Sequence, residues 1–263
     1  LWSLPVIVVI VGVMIVPIAV VLILSITPSI GAKAGSGLTF ANFSYVFSST
    51  PLLTWLGNSL VVSVATVAVA IVIAAPAGYV LSRGRNRLVS AYSLLLFVVQ
   101  SLPVVTSVIP LFILFAQIHL VDNLVGVTII HVGSTLSVAI WMMAAYFNSI
   151  PIALEEAAWM DGCSVLTGFL RVVLRNSLPG VVSTAIFSFL LAWNDYLVAV
   201  VFLRSVDKYT LPIGMQTFFQ ENATDWGSVM ALAVVMMIPP VAVFTFLNRY
   251  FSIGGIGGAL AGN

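Results

Sequence analysis

Long apolar runs separated by short polar stretches dominate the chain, and six of them reach membrane-spanning length: Leu4–Ile26, Trp55–Leu81, Leu88–Phe115, Val121–Phe147, Leu178–Leu203 and Trp226–Phe251. A hydrocarbon core of ~30 Å takes ~20 helical residues, because each backbone amide must find its partner inside the helix where no water is at hand. The pattern predicts an all-α polytopic membrane protein with six transmembrane helices. Prolines interrupt several runs, at Pro76, Pro103, Pro110, Pro239 and Pro240. Neighbouring helices in a bundle can satisfy the carbonyls that proline frees, so each run is expected to serve as one span. The first run is longer than the ~7–15-residue core of a signal peptide and reads as a retained span. Since Leu1 already lies in apolar text, a cytoplasmic tail is expected ahead of it.

Composition sharpens this picture. Hydrophobic residues make up 61% and charged residues 6% of 263 positions, against about 25% charged in soluble domains. So few charges cannot cover a water-exposed surface. Nine Lys and Arg against eight Asp and Glu leave a net charge of +1, which excludes nucleic acid as a partner because a polyanion needs a clustered basic face. Cys163 stands alone, so no intrachain disulfide can form, and its position predicts a reduced thiol in a cytoplasmic loop.

The basic residues also set the orientation, since Lys and Arg beside a span are retained on the cytoplasmic side. Arg83, Arg85 and Arg87 crowd one short loop. Placing it inside puts Arg171, Arg175 and Arg249 inside as well and leaves Lys33, Arg204 and Lys208 outside, six against three. Both termini are then cytoplasmic.

Between spans four and five, residues 148–177 form a connection far longer than neighbouring helices need. Pro151 suits a first helical turn, Ile152–Asp161 favours helix, and Gly162 suits a left-handed stop just beyond. That helix would be roughly 16 Å long. Ser164 can then cap a second helix running through Leu174, with Val165, Phe169, Val172 and Val173 apolar at helical spacing. A helical hairpin is therefore expected outside the membrane.

Several short words in this stretch resemble the EAA loop of binding-protein-dependent importer permeases, whose pattern is EAA-x3-G-x9-I-x-LP. Glu156-Ala157-Ala158, Gly162 and Val172 fall in register, Asp161-Gly162 matches the usual DG, and Ser177-Leu178-Pro179-Gly180 opens the next span as in that family. Ala192-Trp193-Asn194-Asp195-Tyr196, Thr210-Leu211-Pro212 and Arg249-Tyr250-Phe251 with the closing glycines extend the likeness to the maltose-type sugar permeases over most of the chain. One departure stands out: Arg175 replaces the usual proline, so the second hairpin helix should end less sharply.

The resemblance implies a single permease domain, residues 1–263, with a cytoplasmic coupling loop at 148–177, an outer loop at 204–225 and a cytoplasmic tail at 254–263. It implies a cell-membrane location, two ATP-binding subunits, a second homologous permease and an extracytoplasmic substrate-binding protein. ATP and Mg2+ would belong to the ATPase. Coupling to that subunit would fall to Glu155, Glu156, Ala157, Ala158, Asp161 and Gly162. The residue types suit such a dock: alanines permit close approach, carboxylates can be gripped by a basic partner, and Trp159 and Met160 offer apolar area. The same helix would also suit a solvated position on lipid headgroups.

Ionisable groups inside spans are costly and usually face a cavity or a partner. Trp193, Asn194 and Asp195 combine an aromatic face with amide and carboxylate, as a sugar requires, although bonding between helices suits them equally. Asn58, Gln100, Gln117 and His131 share that ambiguity and favour helix-to-helix hydrogen bonds. In the outer loop, Gln220, Glu221, Asn222 and Thr224 are the resemblance's candidates for contact with the binding protein.

Other classes fit less well. Neither Lys33 nor Lys208 follows glycine and precedes Ser or Thr, so the chain has no Walker loop and the ATPase must be separate. His131 and Ser134 share a span, but no HExxH helix accompanies them and only two histidines exist, which leaves a membrane hydrolase or a metal site with few candidates. A secondary transporter would show paired repeats. A permease for a non-sugar solute would carry the same loop. The Ala-, Val- and Gly-rich text is similar to actinobacterial disaccharide permeases, which implies trehalose or maltose as cargo.

Overall fold

A computed structural model describes residues 3–28, 37–219 and 224–250. The helices in chain order are α1 Ser3–Ser25, α2 Ala41–Ser49, α3 Leu52–Arg83, α4 Arg87–Ser101, α5 Val104–Gln117, α6 Leu124–Asn148, α7 Ala153–Met160, α8 Val165–Asn176, α9 Leu178–Trp193, α10 Leu197–Phe202, α11 Leu211–Gln216 and α12 Trp226–Leu247. Among the described residues, four helical stretches are long and apolar enough to cross a membrane alone: Val6–Ser25, Leu52–Arg83, Leu124–Asn148 and Trp226–Tyr250. The outward face of α1 is apolar along its length, with Val8, Val9, Val13 and Met14 all exposed, as a lipid-facing span requires.

Two of the six expected spans are not single helices. In place of Leu88–Phe115, α4 and α5 meet at a bend of 92°. Leu102 is extended there and Pro103 occupies the position just ahead of α5, because proline lacks the N–H that would continue α4 and pushes the residue before it out of helical geometry. Pro76, Pro110, Pro239 and Pro240 lie inside unbroken helices. In place of Leu178–Leu203, α9 stops at Trp193 and α10 starts anew at Leu197. The second hairpin helix overruns its expected end at Leu174. It widens into a π turn at Phe169–Val173, continues to Asn176 and passes into α9 with a bend of 74°, in keeping with the absence of a proline at Arg175. Helix α2 has no counterpart among the sequence expectations.

The chain divides into two compact units, Leu1–Asn58 with Ser205–Ala242 and Ser59–Arg204 with Val243–Asn263. In the first, the Asn42 amide donates to the carbonyls of Ser25 and Thr27 (2.9 and 2.6 Å), which ties the end of α1 to α2. The Trp55 indole donates to Val206 O at 2.9 Å, and Asn58 donates to the carbonyls of Asp207 and Tyr209, both at 2.9 Å. These bonds fasten the segment 205–209 to the start of α3. Asn58, expected to bond between helices, serves a connecting segment instead.

The second unit is organised on α6, whose length is roughly 37 Å. A core of Ala74, Ala75, Leu96, Ile140, Met143 and Phe147 joins α3, α4 and α6. Backbones approach closely: a Cβ on Gly78 would lie 2.8 Å from Met143 Cβ, and one on Gly180 would collide with the Tyr146 side chain. Small residues at such crossings are how membrane helices gain packing contact, since lipid supplies no hydrophobic drive. At one end of α6, Ser82 Oγ donates to Asn148 Oδ1 (2.7 Å) and Arg83 donates to Ile150 O (3.2 Å). At the other, Asp122 N donates to Phe202 O (2.7 Å) and Arg204 N donates to Asp122 Oδ1 (3.0 Å). The segments 84–121 and 149–203 therefore each lead from one end of α6 to the other.

Gly180→Ala should overpack the α6–α9 crossing and destabilise the purified protein by about 1–3 kcal/mol. Gly133→Ala, where a Cβ meets nothing within 4 Å, should leave it unchanged or slightly firmer. Thermal unfolding in detergent, followed through the buried Trp193, checks both.

Candidate functional site

The hairpin stands at the Asn148 end of α6. Gly162, at φ 86°, makes the expected left-handed turn after α7, and Ser164 Oγ accepts from Thr167 N at 3.2 Å to start α8. Trp159 packs over Gly168, where an added Cβ would lie 3.2 Å from Nε1, so the two arms touch.

The polarity of α7 is inverted. Its buried residue is Glu155, at 0% exposure, while Leu154 is 46% and Met160 88% exposed. Burying an unpaired carboxylate is prohibitive, and Glu155 is fully supplied with donors. Arg83 Nη2 and Nε lie 2.6 and 2.8 Å from Oε1, and the Tyr79 hydroxyl donates to Oε2 at 2.6 Å. Tyr79 and Arg83 stand four residues apart, on one face of the last turns of α3. The second arm reaches the same place through Phe169, whose ring centroid lies 4.7 Å from that of Tyr79 and 5.9 Å from that of Phe147. Glu156, Ala157, Asp161 and Gly162 are exposed and Ala158 is half-buried. Of the adjacent carboxylates, one points into the protein and the other away.

The residues considered for a transport path do not converge on a common point. Trp193 is buried with its ring stacked on Phe189 at 5.5 Å and 15°. Asn194 is exposed and donates to Leu190 O (2.9 Å). Asp195 Oδ2 accepts from the amides of Val198 and Ala199, both at 3.1 Å, and lies 3.7 Å from His131 Nε2. Its carboxylate thus takes up N–H groups that the break in the helix would orphan. No sequence signal marked it as a cap because the run from Leu178 to Leu203 reads as continuous. Gln100 and Ser134 line a cavity of about 370 Å³ with Ser107 and the apolar Phe115, Ile129 and Ile130. Gln117 is exposed.

In the segment 204–225, Thr224 pairs with Phe219 in an isolated bridge, and Asp225 accepts from Ser228 N (3.2 Å) and Oγ (2.6 Å) to cap α12. Gln220, Glu221 and Asn222 lie outside the described residues, as does the 254–263 tail.

Comparison with known proteins adds three findings. The family described as "Binding-protein-dependent transport system inner membrane component" matches residues 67–252. The trehalose transport system permease protein of Mycobacterium tuberculosis is 31% identical over 96% of this chain and 94% of its own, and the arabinooligosaccharides transport system permease protein of Halalkalibacterium halodurans is 31% identical over 85% and 81%. A bacterial ABC transporter involved in the import of the acidic polysaccharide alginate has the same fold, with a TM-score of 0.76 at 23% identity over 94% of this chain and 95% of that one.

If Asp195 serves as a cap, Asp195→Ala should cost on the order of 1–2 kcal/mol and Asp195→Asn, which keeps one acceptor oxygen, noticeably less. Parallel measurement of unfolding temperature and transport checks this. Equal loss of transport in both variants at unchanged stability would show contact with cargo instead.

Proposed function

We propose, for a chain that belongs to the family of binding-protein-dependent transport system inner membrane components, the role of pore-forming permease subunit in an ABC importer of carbohydrate. A protein of this family is a membrane subunit of a transporter and not a catalytic enzyme. The observation that carries the local assignment is the inversion of α7. A short helix that buries one carboxylate and leaves Leu154, Met160 and part of Trp159 exposed together with Glu156 and Asp161 has the mixed apolar and charged surface of one arm of an interface. An ATP-binding subunit dimer is the partner it fits, with ATP and Mg2+ held there.

The hairpin then lies in the cytoplasm. Arg83 lies with the hairpin at the Asn148 end of α6, and Arg171 and Arg175 belong to the hairpin itself, which supports both termini being cytoplasmic under the positive-inside rule. A second, homologous permease would complete the path, and an extracytoplasmic binding protein would deliver cargo near 204–225. The 370 Å³ cavity falls within the ~300–1,000 Å³ typical of small-molecule sites. With Gln100, Ser107 and Ser134 as its polar groups, it offers too few partners to satisfy a sugar's hydroxyls, so the remaining contacts would come from the second permease. The relatives' names support a di- or oligosaccharide, and the similarity to a trehalose permease over nearly the whole chain makes trehalose the first cargo to try.

Alternating access follows if closure of the ATPase dimer displaces the docked hairpins and rocks the bundle. Glu156→Lys places a cation where a carboxylate meets the partner. It should reduce the ATPase recovered with the purified permease and uncouple hydrolysis from uptake. Unchanged uptake in cells carrying that variant would contradict docking through α7.

A further inference from the structure

The geometry points to Glu155, Arg83 and Tyr79 as a latch that makes α7 move with α3, so that Glu155 is a positioning residue for coupling and not part of the surface that meets the ATPase. This inference rests on the importer reading and assigns a role within it.

Glu155 sits on the face of α7 that turns inward, with its side chain 1% exposed, while that of Arg83 is 18% exposed. The arginine donates from Nε and Nη2 to one carboxylate oxygen, and Tyr79 fills the other. Three donors from two consecutive turns of one helix hold a single group on another. Such a contact resists both sliding and rotation, because charge-assisted bonds to a planar guanidinium are directional. Arg83 also donates to Ile150 O, one residue before Pro151, so the approach to α7 is held as well as the helix itself. Among the described residues the second arm has no comparable polar tie, but Phe169 packs on Tyr79, so both arms of the hairpin bear on the last two turns of α3.

A displacement applied to the outer face of α7 must then either break a buried ion pair or carry α3 along. Separating a buried pair strands an uncompensated charge, whereas a rigid displacement of α3 together with α7 leaves the pair intact. The pair therefore favours transmission over local yielding. The adjacent carboxylates divide the labour: Glu156 faces the partner, and Glu155 connects the dock to the span.

The test uses the complete importer, with ATPase, both permeases and binding protein, in proteoliposomes supplied with trehalose, or with maltose if maltose stimulates hydrolysis more strongly. The readout is sugar moved per ATP hydrolysed. Glu155→Gln and Arg83→Gln should each lower that ratio roughly tenfold, and the double variant should fall no further than either single one, as expected for two groups acting through one contact. Tyr79→Phe, which retains the ring and loses one hydrogen bond, should lower the ratio less and keeps the test decisive if the charge variants assemble poorly. ATPase recovery with the permease should stay at the wild-type level in all four variants. A wild-type ratio in Tyr79→Phe and the double variant, or losses in the singles that multiply in the double, would overturn the latch. Loss of ATPase recovery in Glu155→Gln would instead make Glu155 a docking residue. A wild-type complex whose hydrolysis is stimulated by a sugar that it then fails to move would defeat the importer reading, and the latch with it.

Discussion

A carboxylate buried in a short helix at the edge of a membrane has to be neutralised by something fixed, and here that requirement orders one end of the molecule. Glu155 is tolerable at 0% exposure because Arg83 and Tyr79 stand in place to receive it, and they are in place because α3 runs unbroken for 32 residues to Arg83. The same tie turns Leu154 and Met160 outward, since a helix that commits one face to a carboxylate presents its others. The apolar surface offered to a partner is thus a consequence of where the charge is satisfied. The aromatic contacts among Tyr79, Phe147 and Phe169 set the second arm against the same base.

The broken spans suit a transporter. A bent pair within a segment that leads from one end of α6 to the other places irregular backbone at membrane depth, which is tolerated where protein or a water-filled path surrounds it. Asp195 supplies an acceptor to the amides that open α10, whereas at the α4–α5 break Pro103 has no N–H of its own to satisfy. Such breaks give helices separate halves that can shift with modest cost, and alternating access requires motion of that kind.

Much of this was legible in the sequence. Apolar run length located the helices that became α1, α3, α6 and α12 to within a few residues, because hydrocarbon leaves a spanning backbone little choice. Gly162 and Ser164 marked the hairpin turn through their own local chemistry. What periodicity could not supply was which prolines bend a helix, since Pro76 and Pro103 look alike until their neighbours are known. Nor could it separate Glu155 from Glu156. Adjacent helical positions differ by about 100° of rotation, and only the distant Tyr79 and Arg83 decide which one turns inward. A signal was present in hindsight, a phenol and a guanidinium four residues apart on the final turns of a span, too polar for lipid and in need of an acceptor. Asp195 escaped notice as a cap because the apolar text on either side of it reads as one run.

The central claim, that the hairpin and the end of α3 move as one piece, is tested most directly by a distance. Spin labels at Val80 on α3 and Met160 on α7, both exposed positions at 53% and 88%, can be followed by pulsed electron resonance in the assembled importer through the nucleotide cycle. A single, unchanged distance distribution in nucleotide-free and ATP-bound states is the expected result. A distribution that shifts or splits when ATP binds would mean that α7 yields by itself, and the account would be wrong.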